Sequence, residues 1–302
     1  MKVLVLGGGD SPEREVSLRS AKALADAARA AGYDVIEADP KDNLSMLDGV
    51  TADTIVLPIL HGAGGEDGQI QKELERRHLP FLGSGSQSSA ECFDKWLTRQ
   101  RLTSAGVQMP KGVLVSKDSY KAQDLAKKPH VLKVLRGGSS IGTLLAKNPD
   151  KVSDFDVQAL FKLDTNAELE EFIDGTECTV PILDGRALTV IEIIPPAGEE
   201  FNYQNKYNGR SQEICPPKTI DEDLQKQAQE LAEKVHKTMN SRHLSRVDIM
   251  LDKHANLFVL EINTMPGLTD QSLYPKSAAV AGMTMPQLVK KFVELVKRDY
   301  NL

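Results

Sequence analysis

The sequence predicts an α/β fold: a βαβ parallel-sheet domain first, then units that become α+β toward the C-terminus. Three observations carry this. Lys2-Val3-Leu4-Val5-Leu6 is a short apolar run that meets Gly7-Gly8-Gly9 at once, as a strand buried on both faces of a parallel sheet does. Strand-like and helical patterns then alternate as far as Arg77. Near the other end, the apolar runs 246–252 and 258–267 flank a polar break at 253–256 that is short enough for a hairpin.

The elements follow in order. Ser11-Pro12 or Ser17 is expected to open a helix in which Leu18, Ala21, Leu24, Ala25 and Ala28 recur at helical spacing until Gly32 closes it. Strands are expected at 35–38 and 54–60, the second running into His61-Gly62-Ala63-Gly64-Gly65-Glu66-Asp67-Gly68 and a helix over 69–77. Ligands bind at the carboxyl ends of such strands, where these glycines sit. The first glycine cluster is not a dinucleotide fingerprint. Gly7-Gly8-Gly9-Asp10-Ser11-Pro12 lacks the G-x-G-x-x-G spacing, and Pro12 stands where the third glycine belongs. A helix over 88–104 leads through Gly106 and Pro110 into a second unit, with strands at 113–115 and 131–135 around a helix over 119–127. A helix over 150–163 and strands at 169–173, 177–183 and 186–193 come next. The stretch 195–217 holds Phe201, Tyr203, Lys206, Tyr207 and Arg210 without periodicity, and its length and aromatics predict a lid. A long helix over 221–239 precedes the hairpin, and a helix over 284–299 ends the chain.

Composition narrows the function. With 302 residues, 40% of them hydrophobic, the chain can bury a large core and has the length of two or three domains. Lys plus Arg total 37 against 43 Asp plus Glu, a net charge of -6, which argues against a nucleic-acid surface. Cys92, Cys178 and Cys215 are far apart and odd in number, so neither a disulfide framework nor a CxxC metal site is expected. No stretch approaches the length of a membrane span or a signal-peptide core, and a soluble, cytoplasmic protein is expected.

Two stretches carry chemistry. Asp248, Glu261 and Asn263 are hard oxygen donors that the hairpin would bring together. Without a Cys or His cluster they favour Mg²⁺ or Mn²⁺ over zinc, and Mg²⁺ held by few carboxylates usually also binds substrate phosphates. The same acids could instead face solvent from alternating strands. Arg136-Gly137-Gly138-Ser139-Ser140-Ile141-Gly142 either lets backbone N–H groups converge on phosphate or is a hairpin turn with surplus glycine.

Taken in order, these motifs resemble the D-alanine–D-alanine ligases, ATP-grasp enzymes that make a dipeptide for bacterial cell-wall precursors. The resemblance runs over essentially the full length. It rests on Glu13-Arg14-Glu15-Val16-Ser17, the His61–Gly68 run, Phe93-Asp94-Lys95, Lys133 with Gly138–Gly142, Glu170–Ile173 with Gly175-Thr176-Glu177, Lys206-Tyr207, Arg246-Val247-Asp248, Glu261–Gly267 and Ser272-Leu273. It implies ATP-grasp architecture, here divided as 1–92, a βαβ substrate-side domain; 93–180, a central unit with the glycine-rich phosphate loop; and 181–302, a C-terminal domain with lid and metal site.

The resemblance also implies roles. Lys95 and Lys133 would contact ATP phosphates, Glu170 the adenine amine and Glu177 the ribose, with Phe172 and Ile173 giving backbone contacts. Asp248, Glu261 and Asn263 would hold two Mg²⁺ or Mn²⁺ ions, and Lys206 would reach the γ-phosphate. Arg246 and the Gly267 N–H would stabilise the oxyanion, with His61 near the acylphosphate. Glu13 would pair with the ammonium of the first D-alanine, and Ser272 and Leu273 would take the carboxylate of the second. Glu13, Ser139 and Tyr207 resemble the trio that joins the domains of the closed enzyme. A homodimer is expected. Lys72, Gly137, His243 and Asp270-Gln271 depart from the usual pattern. The alternatives are a relative that uses D-serine or D-lactate as second substrate, and a nucleotide-binding module without turnover.

Overall fold

Alternation within the first strand sets the first layer. The structure, a computed structural model, describes residues 1–41, 43–138, 141–195 and 211–302. β1 (Lys2–Leu6) lies between β2 (Asp34–Ala38) and β3 (Thr54–Pro58), all parallel. Val3, Val5, Ile55 and Leu57 share a core with Leu24 and Ala28 of α1 (Arg14–Ala30), and Leu4, Leu6 and Val56 share another with Ile70 and Leu74 of α2 (Gln69–Arg76). The strand is therefore buried on both faces, as its unbroken hydrophobicity requires, and each such side chain contributes ~1.5–3 kcal/mol.

Neither expected serine caps α1. Its N-cap position is Glu13, without a side-chain cap. Ser11 Oγ instead accepts the Glu13 N–H at 3.2 Å and donates to the His61 carbonyl at 2.5 Å. Ser17, inside the helix, accepts the Gly8 N–H at 2.9 Å and donates to the Ile59 carbonyl at 2.5 Å. Both serines bind the helix to the loops that follow β1 and β3.

The single helix expected over 88–104 is two, α3 (Ser86–Phe93) and α4 (Lys95–Ser104). Asp94 between them is extended (ψ 108°), and its side chain accepts from the Trp96 and Leu97 N–H groups, both at 3.1 Å. A four-stranded antiparallel sheet follows in the order β4 (Gly112–Ser116), β7 (Asn166–Glu171), β5 (His130–Val134), β6 (Thr143–Ala146). The helix expected over 119–127 is a single turn, α5 (Lys117–Tyr120), and a 3₁₀ turn, Asp124–Lys127. Tyr120 is the one side chain those two turns bury, too little apolar surface to hold a longer helix. α6 (Asp154–Leu163) starts later than expected, at the Ser153 cap, and covers this sheet with Val157 and Leu160.

The third sheet runs β11 (Gln212–Ile214), β10 (Ile191–Ile194), β8 (Gly175–Leu183), β12 (Leu244–Asp252), β13 (Leu257–Asn263), with β9 (Arg186–Ala187) also on β8. α7 (Glu222–Thr238) packs Ala228, Ala232 and Val235 against it. The division expected between 180 and 181 falls inside β8. The sheets part at the turn before Gly175, since β7 ends at Glu171. The chain also crosses its own divisions: Leu102 of α4 packs in the core of the third sheet, and Phe292 and Val296 of α9 (Met285–Tyr300) in that of the first. α8 (Leu273–Val280) was not expected, and Pro275 sits in its first turn, where a missing N–H costs nothing. Among the described residues no helix is long and apolar enough to cross a membrane.

Candidate active site

Three layers meet at one cavity of about 1010 Å³. The first sheet brings Glu13 and His61, the central sheet Lys95 and the Gly137-Gly138 loop. The third brings Arg246, Glu261 and Asn263, and the turn after it Gly267, Ser272 and Leu273.

The hairpin register explains the third contribution. β12 and β13 are antiparallel, with Arg246 opposite Asn263 and Asp248 opposite Glu261. Directly opposed residues share a face, as do residues two apart, so all four stand on one side of the sheet. Thr179 of β8 stands opposite Asp248 in the same row and donates to its Oδ1 at 2.5 Å. Arg246 grips the same carboxylate twice, Nε to Oδ1 at 2.9 Å and Nη2 to Oδ2 at 2.8 Å. Asn263 Oδ1 accepts the Met265 N–H at 2.8 Å, which turns the chain out of the strand.

Lys95 joins two of the layers. Its ammonium donates to the Gly137 carbonyl at 2.9 Å and lies 3.5 Å from Glu261 Oε2. The position follows from Asp94, whose cap starts α4 one residue earlier. Behind the cavity wall Lys133 pairs with Glu170, and Arg99 reaches both Glu168 and Glu170, the latter at 2.8 Å. Burial alone would lower the Lys133 pKa, but the Glu170 and Glu168 carboxylates outweigh it and hold the ammonium above its usual value. Glu168 is pushed up, first by burial and then by Glu170. Glu170 thus spends its carboxylate on two cations inside the protein; Phe172, beyond the end of β7, lies under Lys147, 5.2 Å from the ring centroid. Glu177 precedes Thr179 by two residues on β8 and shares its face. Lys133, Glu170, Phe172, Ile173, Glu177 and Asp248 are off the cavity wall.

Glycine lets two loops close on Glu13. A Cβ on Gly138 would come 2.7 Å from Glu13 Oε2, and one on Gly62, whose φ is +74°, 2.8 Å from the same oxygen. His61 is buried, its Nδ1 3.4 Å from Glu66 Oε1 and its Nε2 3.1 Å from Ser20 Oγ. Burial raises the Glu66 pKa. Ser272 Oγ accepts the Thr269 N–H at 3.1 Å and would lie 2.9 Å from a Cβ on Gly267. Ser139, Lys206 and Tyr207 lie outside the described residues, as does 196–210 of the expected lid; the rest of that stretch supplies β11.

The residues that sequence reasoning missed are partners of those it named. Arg99 lies one helical turn after Lys95, and Glu168 alternates with Glu170 on β7. Two acids two apart in a buried strand call for cations, and that was the available signal. The departures are also placed. Lys72 is exposed, Gly137 carries the carbonyl that Lys95 binds, and Asp270 and Gln271 line the cavity.

Comparison with known proteins gives the family. Residues 104–294 match the family model described as D-ala D-ala ligase C-terminus. A D-alanine–D-alanine ligase of Actinobacillus succinogenes is 37% identical over 301 residues, 97% of each chain. The chain belongs to the D-alanine–D-alanine ligase family. Another such ligase, of Aquifex aeolicus, is 36% identical over 291 residues, 96% of this chain and 98% of that one. Among solved structures, the D-alanine–D-alanine ligase of Coxiella burnetii superposes with a TM-score of 0.85 at 26% identity, over 100% of this chain and 95% of that one. The Bacillus anthracis ligase complexed with ATP gives 0.84 at 27% identity, over 100% and 99%. Family membership fits the α/β, ATP-grasp fold, with one parallel and two antiparallel sheets.

Proposed function

We propose that the protein joins two D-alanines at the expense of ATP, giving D-alanyl-D-alanine for peptidoglycan precursors. The observation that carries this is Lys95, within reach of both the Gly137 carbonyl and Glu261 in a cavity that also holds Glu13. A cation between a glycine loop and an acidic hairpin fits a triphosphate, and a buried acid across the cavity fits an amino acid's ammonium.

In the reaction the carboxylate of the first D-alanine attacks the γ-phosphorus of ATP, and ADP leaves. The amine of the second attacks the acylphosphate carbon, forms the peptide bond, and inorganic phosphate leaves. Glu13 holds the first ammonium. Lys95 and Lys133 balance phosphate charge as it moves, with Lys206 added from the lid, and Arg246 with the Gly267 N–H receives the oxyanion. The family resemblance gives the nucleoside to Glu170, Phe172, Ile173 and Glu177, which lie off the cavity wall; Ser272 and Leu273, on it, take the second carboxylate. His61 stands beside the acyl group, and Glu13, Ser139 and Tyr207 tie the layers when the site closes. Closure excludes water that would hydrolyse the acylphosphate.

The donor set Asp248, Glu261 and Asn263 is two carboxylates and an amide on one sheet face. Among the described residues no three His, Cys, Asp or Glu side chains gather to hold a metal unaided. That set fits hard cations shared with phosphate oxygens rather than a closed protein cage. These residues would hold two Mg²⁺ or Mn²⁺ ions, which neutralise triphosphate charge. A cytoplasmic homodimer completes the reading, with light scattering to measure its mass.

The test is phosphate release from ATP with D-alanine compared with L-alanine, with dipeptide identified by mass. Equal release with both, or none, would reject the reaction. Added D-serine or D-lactate tests the second substrate.

A further inference from the structure

Glu66, His61 and Ser20 form an acid, imidazole and hydroxyl in line: 3.4 Å from Glu66 Oε1 to His61 Nδ1, and 3.1 Å from His61 Nε2 to Ser20 Oγ. That order of groups is the one used to activate a serine nucleophile. Here it does something else. Ser20 has no exposed surface and lies within α1; His61 and Glu66 line the cavity but Ser20 does not. A substrate carbonyl has no route to its oxygen.

The serine oxygen has a different neighbour. It accepts the Leu268 N–H at 3.4 Å, a link of 248 residues along the chain. Leu268 follows Gly267, which lines the cavity and whose own N–H has no acceptor among the described residues. With Glu66 as carboxylate, its charge lies 3.4 Å from His61 Nδ1, Nε2 accepts the Ser20 O–H, and Ser20 Oγ accepts the Leu268 N–H. A ring flip would break the bond to Ser20 and turn Nδ1 away from Glu66. The His61 backbone is held as well, by Ser11 Oγ at its carbonyl.

We propose that Ser20 is a positioning residue, whose hydroxyl links the Glu66–His61 pair of the first layer to the Leu268 amide and so fixes the turn that presents the Gly267 N–H. The inference rests on the ligase reading above, in which that N–H receives the oxyanion. A preorganised donor loses most of its effect when displaced by about 1 Å, on the order of 100-fold in rate. Ser20 and His61 act here through Gly267, so the loss falls on turnover and spares nucleotide binding.

The test compares Ser20→Ala and Ser20→Thr with the unaltered protein. Ser20→Ala is expected to lower kcat for D-alanyl-D-alanine formation by about 10- to 100-fold with the KM for ATP unchanged. Ser20→Thr, which keeps the hydroxyl, is expected to recover most of it. Nitrogen-15 shifts of histidine, with the His61 signal assigned from His61→Gln, are expected to show one fixed tautomer that Ser20→Ala loses. If Ser20→Ala does not fold, Ser20→Cys takes its place, since the thiol is similar in size and a poor hydrogen-bonding group. An unchanged kcat, an equal loss in the alanine and threonine variants, or an unmoved His61 signal would overturn the proposal. Unaltered protein that makes no dipeptide would reject the ligase reading instead, and the histidine signal would still test the link.

Discussion

Glu261 is the acid whose loss should matter most and disturb least. It stands opposite Asp248 across the hairpin, lines the cavity and lies 3.5 Å from the Lys95 ammonium. Asp248 is held by Arg246 and Thr179 off the cavity wall, whereas Glu261 lines the cavity, where an incoming cation would meet it. Glu261→Gln keeps the volume and removes the charge. Turnover is expected to fall by about 100-fold, with the melting temperature preserved. Unchanged kcat at saturating ATP and D-alanine would take Glu261 out of the proposed metal site. This acid could be read from the sequence because a short polar break forces the hairpin register that sets it against Asp248. Arg99 could not: its carboxylate partners are on β7, more than sixty residues away, and nothing in a helical pattern shows which arginine is buried between acids.

Among elements, the break between α3 and α4 has a direct energetic test. Asp94 accepts from two N–H groups at the start of α4 and lies 3.1 Å from the Arg136 Nε. The arginine is largely exposed, so the ion pair adds little and the cap carries the cost. Asp94→Ala is expected to lower unfolding free energy by about 1–2 kcal/mol in denaturant titrations. Because α4 begins at Lys95, the KM for ATP should rise in the same variant; a cap loss without that rise would separate the helix start from nucleotide binding. Helical periodicity runs through Cys92, Phe93, Trp96 and Leu97 without registering the break, because one extended residue barely shifts the pattern. The first sheet was legible for the opposite reason: both faces of β1 and β3 are buried, so their hydrophobicity does not depend on register. β11 has three residues and α8 little amphipathic character, and neither leaves a pattern long enough to read.

At the scale of the molecule, His243 binds the first and third layers together. It departs from the usual glycine or alanine and adopts a φ of +64°, a cost offset by two bonds: Gly83 N–H to Nδ1 at 3.0 Å and Nε2 to Asp299 at 2.9 Å. Since Nδ1 is an acceptor, the ring is held neutral, and burial, aided by the Arg242 charge, pushes its pKa down to about 4 against the nearby Asp299. The unfolded chain, with an ordinary value near ~6.5, binds the proton more tightly. Stability from this residue is therefore complete above ~6.5 and is lost as pH falls toward 4, at up to about 1.4 kcal/mol per pH unit. Unfolding titrations across that window should show a shallower slope for His243→Asn, which tolerates the left-handed backbone; His236, also pushed down to about 4 by burial, contributes equally to both proteins. A ligand seated where three layers meet should brace all of them. ATP with Mg²⁺ at about 100 times its Kd stabilises by about 2.7 kcal/mol, a rise in Tm on the order of 5 °C, and NADH should give none. In the proposed reading the acidic hairpin takes a triphosphate beside Asp248 and Glu261 only with cations bound, so a chelator should abolish most of that rise. Equal stabilisation by ATP with and without chelator would leave Lys95 and Lys133 as the phosphate site and remove the metal from it.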